Sequence, residues 1–415
     1  MKKKTVLSLL LSLLAAASLL VPLALPALAA GEDQLQLESS YPPELAGTQI
    51  SVYNWGEYMS DGSEGSLNVI RAFEDATGCH VNYKTFDNNE SLYAILAGGG
   101  SNYDVIIPSD YMIQRLIAEG RLQKLDQSKI PNAKYIMDDY RRLYFDPEDA
   151  YSIPYTIGMV GLLYNKTMVS ETPDSWAALW DPQYAGNILQ FNNPRDAFGV
   201  AQYLLGQDVN ATDEATWQAA AEKLKEQKPL LQRNVMDEIY NLMENGEAAL
   251  APYYAGDLIL MQENNSDLDM VYPKEGTNFF YDSLCIPTGA KNVAGAEAFI
   301  NFLLEPEVAL ANAEFVMYAT PHTAVRANPD YSLKDNPFLY PQELPKIQYF
   351  QNLPPETLKL IDALWTEVLQ SGKETGSGPS FAIVPLLIGL AVAVAVIVLA
   401  AVIVTLAKKK RRAAR

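Results

Sequence analysis

The chain has 415 residues, with 50 acidic side chains against 31 basic ones and a formal net charge of −19. Such a surface excludes nucleic acid as a partner, because binding phosphate needs clustered positive charge, and it draws cationic solutes instead. Two cysteines are too few for a disulfide framework, and with two histidines the sequence has neither a zinc spacing nor a phosphate-cradling Gly-x-x-x-x-Gly-Lys-Ser/Thr motif.

Lys2-Lys3-Lys4, a Leu/Ala-rich run and Ala27-Leu28-Ala29-Ala30 form the charged start, apolar middle and small-residue cleavage pattern of a signal peptide at 1–30. No cysteine follows the apolar run, so it is not a lipoprotein signal. A strand at 50–53 then leads into Asn54-Trp55-Gly56-Glu57-Tyr58, a carboxylate set between two large aromatics where a strand ends. That pattern suits an organic cation: ring faces attract an alkylammonium, a carboxylate neutralises it, and strand ends of open α/β sheets collect ligands.

Helix 65–77 carries Val69, Ile70 and Phe73 on one face, and strand 80–85, helix 90–97, strand 103–107 and helix 111–119 follow. The β-α-β-α-β order predicts a mostly parallel sheet with helices on both faces. A second series begins after Gly158: strand 159–164, a helix after Ser175, strand 187–191, and helices from Ala197 and Ala215. Trp176 and Trp180 stand at helical spacing and read as core. The apolar strand Phe279-Phe280-Tyr281-Asp282-Ser283-Leu284-Cys285-Ile286-Pro287 holds a carboxylate, which there needs a buried partner or a cationic ligand. Helix 294–304 comes next, and the chain recrosses between lobes nearby. Roughly 330 residues of globular chain exceed one core and fit two lobes. Cys79 and Cys285 either form one bridge or remain free core thiols.

At the far end, 371–380 is a Gly/Ser-rich stalk, and 381–407 is a run of 27 uncharged residues. About 20 suffice to cross a bilayer as a helix, so a transmembrane anchor is expected, and the six basic residues of 408–415 place that tail in the cytoplasm. Setting aside three lysines in the leader and six basic residues in the tail leaves 22 basic residues against 50 acidic ones on the outward side. The expected location is the cell membrane of a single-membrane bacterium, single-pass, with the globular part extracellular.

Six segments carry a resemblance: Tyr53-Asn54-Trp55-x-Glu57-Tyr58, Tyr103-Asp104-Val105-x-x-Pro108-Ser109-x-Tyr111, Tyr151-Ser152-Ile153-Pro154-Tyr155, Ser175-Trp176-x-x-Leu179-Trp180, Tyr272-Pro273-Lys274-Glu275-Gly276 and Asp282-Ser283-Leu284-x-Ile286-Pro287. In this order, over 48–370, the chain resembles the extracytoplasmic spermidine/putrescine-binding proteins of polyamine ABC transporters. The resemblance implies an α/β type II periplasmic-binding-protein clamshell, each lobe a mostly parallel sheet flanked by helices, followed here by one C-terminal transmembrane helix. Lobe 1 takes 48–156 and 277–325, and lobe 2 takes 157–276 and 326–370. The implied protein is a monomer that captures putrescine or spermidine for an ABC permease and its ATPase, with no cofactor, metal or catalysis.

Carried over by position, the resemblance makes Trp55, Tyr58, Tyr111 and Tyr318 aromatic walls and Ser109 a polar contact. Glu57, Asp282 and Asp196 match ammonium-binding carboxylates, and Asn193 stands where a second carboxylate is usual. Tyr254 and Phe280 occupy positions often held by Trp, and Gln351 matches a polar contact. Two other functions fit the same fold: a ferric-iron binder using Tyr253-Tyr254, or a ligand-sensing co-receptor that signals through a partner chain. Carboxylates such as Asp196 and Glu57 lack an accompanying nucleophile, imidazole or metal cluster, so the chain reads as no enzyme.

Overall fold

The computed structural model describes residues 35–99 and 102–371. Strand β1 (Gln49–Trp55) is followed by helix α1 (Val69–Thr77), whose start is fixed by the Asn68 side chain accepting the Arg71 amide and whose end is Gly78 in the left-handed region. Strand β2 (His80–Phe86) runs parallel to β1; helix α2 (Asn89–Ala97) leads to β3 (Val105–Ile106), parallel to β1 on its other side, and to helix α3 (Asp110–Ala118).

The next strand, β4 (Ser152–Asn165), is buried over its whole length. After it come β5 (Ile188–Phe191), α4 (Pro194–Leu205), α5 (Glu214–Gln227), β6 (Leu231–Val235), α6 (Glu238–Glu244), β7 (Leu250–Tyr254), α7 (Ala255–Asn264) and β8 (Leu268–Val271). Strand β9 (Thr277–Cys285) is again buried throughout, and α8 (Val293–Leu303), α9 (Pro306–Val316), α10 (Thr323–Ala327), β10 (Ile347–Gln348) and α11 (Pro355–Gln370) complete the chain.

Strands lie in the order β2-β1-β3-β9-β4-β7-β5-β6, with β8 beside β4 and β10 beside β9. The outer pairs on both flanks are parallel, β1 with β2 and β3, β5 with β6 and β7, as βαβ units require. At the centre β4 and β9 run antiparallel to each other. Residues 152–159 of β4 face β9, whereas residues 160–164 face β7, so one strand carries the sheet from the first flank into the second. This is the two-lobed α/β arrangement expected, with crossing strands between the lobes.

The sequence predicts only 159–164 of β4. Its first half is missed because Pro154 and Gly158 read as breakers; the structure takes up Pro154 at a register shift before Thr156, and Gly158 lets the Phe280 ring lie where a Cβ would come within 2.2 Å. The helix expected after Ser175 is a short 3₁₀ turn, Trp176–Trp180, with Trp176 fully buried. Cys79 and Cys285 are both free and buried. The fold class needs one correction. No helix among the described residues is long and apolar enough to cross a membrane, so the structure supports the two-lobed α/β fold without the C-terminal transmembrane helix. The leader at 1–30, the predicted span 381–407 and the tail 408–415 lie outside the described residues, as does nearly all of the stalk.

Entry into β4 depends on Asp146. Its Oδ1 accepts the Ala150 amide at 3.0 Å, and its Oδ2 accepts the Tyr151 and Ser152 amides at 2.8 and 2.9 Å and the Ser152 hydroxyl at 2.9 Å. Asp146→Ala strands these donors at a buried site and is expected to cost about 2–4 kcal/mol, read as a lower urea midpoint with an unchanged slope.

Candidate functional site

A cleft of about 670 Å³, open at its mouth, lies where the ends of β1 and β7, the N-termini of α3, α4 and α7, and strand β9 converge. That volume falls in the range of small-molecule sites. Because side chains alternate along a strand, β9 turns Asn278, Phe280 and Asp282 toward the cleft.

Asp282 sits deep in it, 3% exposed. Ser109 donates its hydroxyl to Oδ1 at 2.6 Å and Tyr58 donates to Oδ2 at 2.7 Å. Ser109 is itself held by Asn89, whose Nδ2 donates to the hydroxyl at 3.0 Å while its Oδ1 accepts the Ser109 amide at 3.1 Å. Burial raises the Asp282 carboxyl to about 6, against the opposing pull of its two hydroxyl donors.

A second carboxylate comes from the start of α4. Asn193 caps that helix by accepting the Arg195 amide, Pro194 takes the first helical position, and the Asn193 Nδ2 donates to Asp196 Oδ2 at 2.7 Å. Tyr254 donates to the same oxygen at 2.9 Å. Burial brings Asp196 up to about 7, with Tyr254 opposing.

The third is Asp257, in the first turn of α7. Tyr240 donates to Oδ1 at 2.8 Å and Tyr318 to Oδ2 at 3.1 Å, and burial again raises the carboxyl to about 7. Asp110, whose oxygens accept the Tyr111 and Tyr281 amides, is raised by burial to about 8. Aromatic rings fill the space between the acids. Tyr58 meets Tyr318 edge-on at 5.0 Å, Tyr254 meets Phe280 at 5.5 Å, and Trp55 lies 4.6 Å from Phe86 with its indole N–H on the Ile107 carbonyl. At the side wall Tyr111 meets Phe350 at 6.1 Å and donates to Glu90 at 2.9 Å, and the Arg195 guanidinium stands 4.5 Å over the Phe350 ring.

Of the twelve residues singled out in the sequence, ten line this cleft: Trp55, Tyr58, Ser109, Tyr111, Asn193, Asp196, Tyr254, Phe280, Asp282 and Tyr318. Glu57 and Gln351 do not. Glu57 takes a left-handed turn conformation, φ 49°, and its side chain is exposed. Gln351 is exposed too, and it is its neighbour Phe350 that faces the cleft. Sequence reasoning missed Asp257, Asp110 and Tyr240. Asp257 had a legible signal, a carboxylate three residues after Tyr254 at the start of a helix. The phenols of Tyr253 and Tyr254 are pushed well above their usual range by burial and by Asp257 and Asp196. Among the described residues no group of three or more His, Cys, Asp or Glu side chains is arranged to hold a metal ion.

Residues 68–338 match the family model of the bacterial extracellular solute-binding proteins. The chain belongs to this family. The spermidine/putrescine-binding periplasmic protein of Escherichia coli is 35% identical over 316 residues, covering 76% of this chain and 88% of that protein. Among solved structures, a candidate spermidine/putrescine ABC transporter protein from Listeria monocytogenes superposes with a TM-score of 0.74 at 37% identity, over 78% of this chain and 99% of that one. The spermidine/putrescine ABC transporter substrate-binding protein of Streptococcus pneumoniae gives a TM-score of 0.64 at 33% identity, over 78% and 98%. These relatives are solute-binding transport proteins, not enzymes.

The carboxyls of Asp196, Asp257 and Asp282 hold protons in the folded state that the unfolded chain loses near its ordinary value of 3.8. Between roughly pH 4 and pH 7 the folded state therefore binds more protons, so stability of the unliganded protein falls as pH rises through that window. Asp257→Asn is expected to raise the unfolding temperature more at pH 8 than at pH 5; an equal gain at both would contradict the burial effect.

Proposed function

We propose that the chain is an extracytoplasmic polyamine-binding protein that captures putrescine or spermidine and delivers it to an ABC permease. The observation that carries this reading is the set of carboxylates Asp196 and Asp282, buried, and Asp257, half-buried, facing one cleft, hydrogen-bonded by neutral donors and separated by aromatic rings. A flexible chain of methylenes with cationic nitrogens needs that alternation: an acid for each nitrogen, a ring or apolar face for each carbon stretch. Trp55, Tyr58, Tyr111, Tyr254, Phe280 and Tyr318 form the walls, Ser109 and Asn193 orient the acids, and Asp257 takes the role that Glu57 was expected to play. The names carried by the relatives from Escherichia coli and Streptococcus pneumoniae point to the same ligand class.

In this reading the lobes follow the expected division, 48–156 with 277–325 and 157–276 with 326–370, and the ligand touches both. A ligand that bridges the lobes favours the closed form, which a permease can recognise; the mechanism is a population shift. The basic start, apolar run and small-residue end of 1–30 support export of the globular part.

Calorimetry of the protein with putrescine and spermidine tests the proposal, and no heat with either at millimolar ligand would sink it. Asp282→Ala is expected to weaken binding about tenfold to a hundredfold, whereas Glu57→Ala changes affinity by less than about threefold because its side chain lies outside the cleft. Since an ammonium binds the ionised carboxylates, whose folded values stand at about 6 to 7, binding near neutral pH releases protons. Affinity is expected to fall as pH drops from 8 to 5.5, and heats should vary with the ionisation enthalpy of the buffer.

A further inference from the structure

Asn278 has no part in the binding scheme above, yet it shares the cleft-facing row of β9 with Phe280 and Asp282. It is 4% exposed, and its side-chain Oδ1 is buried with no hydrogen-bond partner among the described residues. A buried amide oxygen without a donor is destabilising, so such a group inside a binding cleft is explained when the donor belongs to the ligand.

Spacing says which part of the ligand. Asn278 and Asp282 have side chains of equal length and lie four residues apart on one face, so their oxygens stand about 13 Å apart at the strand rise. An extended aliphatic chain advances about 1.2 Å per bond, which puts nitrogens separated by four methylenes about 6 Å apart and the outer nitrogens of spermidine about 11 Å apart. With one nitrogen on Asp282, the second nitrogen of a diamine ends beside Phe280, where Tyr254 at 5.5 Å brings in Asp196. The outer nitrogen of a triamine comes within hydrogen-bond reach of Asn278.

We propose that Asn278 is a further ligand-binding residue, accepting an N–H from the distal nitrogen of a triamine and selecting triamine over diamine. This rests on the polyamine reading and extends it. A neutral acceptor suits the position, because it adds a hydrogen bond without adding like charge to a cleft already lined by six aspartates.

The test is calorimetric titration of the full chain and of two variants with spermidine and with putrescine. Asn278→Leu is expected to lower spermidine affinity about tenfold and putrescine affinity less than twofold. Asn278→Asp keeps the acceptor and adds charge, and should raise the ratio of spermidine to putrescine affinity. Equal losses for the two amines in Asn278→Leu would mark a structural role and overturn the proposal. An unchanged ratio in Asn278→Asp would do the same even if the leucine variant fails to fold. If the unmodified chain binds neither amine, the polyamine reading itself fails, an outcome distinct from a binder whose selectivity ignores Asn278.

Discussion

The placing of three carboxylates, two buried and one half-buried, against hydroxyl and amide donors, with no lysine or arginine among the described residues seen to hydrogen-bond any of them, is the constraint around which the cleft is arranged. Asp282, Asp196 and Asp257 accept from Ser109 and Tyr58, from Asn193 and Tyr254, and from Tyr240 and Tyr318. Neutral donors fix each acid's direction and satisfy part of its hydrogen-bonding capacity, but they leave the charge of Asp257 and Asp282 uncompensated, while Asp196 has the nearby Arg195 guanidinium pulling against its burial. Their burial in that state is what raises the three carboxyls. A fold that maximised its own stability would pair such acids or remove them. Holding them in place, oriented and short of a cation, is the arrangement of a site made for one.

The scaffold explains how acids from distant parts of the chain arrive together. β4 and β9 cross the middle of the sheet antiparallel to each other while the flanks remain parallel. Their neighbours end at the cleft, so helix N-termini on either side deliver Ser109, Asp196 and Asp257 toward it. Helix N-termini carry partial positive charge, which favours carboxylates in their first turn. Close packing of the crossing strands depends on Gly158, over which the Phe280 ring lies, so the aromatic floor of the cleft is set by a backbone position with no side chain.

Much of this was legible in the residues. Trp55, Tyr58 and Asp282 stand at or near strand ends in short, patterned segments that mark them as candidates, and the family resemblance adds Ser109 to them. Glu57 and Gln351 show where that fails. A strand fixes side-chain direction by alternation, but Trp55 closes β1, and in the turn after it Glu57 adopts a left-handed conformation that sends its carboxylate to solvent. Near 350 the chain is irregular, with no period to fix the register, and it is Phe350 that faces inward. Asp257 was passed over although it stands three residues after Tyr254: its helix follows β7 without a loop, so the strand end that puts it in the cleft is not set off in the sequence. The first half of β4 was hidden because Pro154 and Gly158 break the propensity, and only tertiary pairing with β9 makes an extended strand there.

Selectivity among amines then becomes a matter of where acceptors stand along one strand face. Asp282 and Phe280 alternate toward the cleft at a spacing of about 7 Å, close to the length of a four-methylene segment. The rings on either side are tyrosine and phenylalanine, with Tyr254 spending its hydroxyl on Asp196. A phenol in that position both walls the ligand and orients the acid, a double role that an indole N–H could fill only from a different angle. Smaller rings also leave more of the cleft open, so recognition leans more on the polar groups that punctuate it. On this view discrimination by length resides in the acceptors spaced along β9, and the aromatic walls supply affinity common to every amine that fits between them.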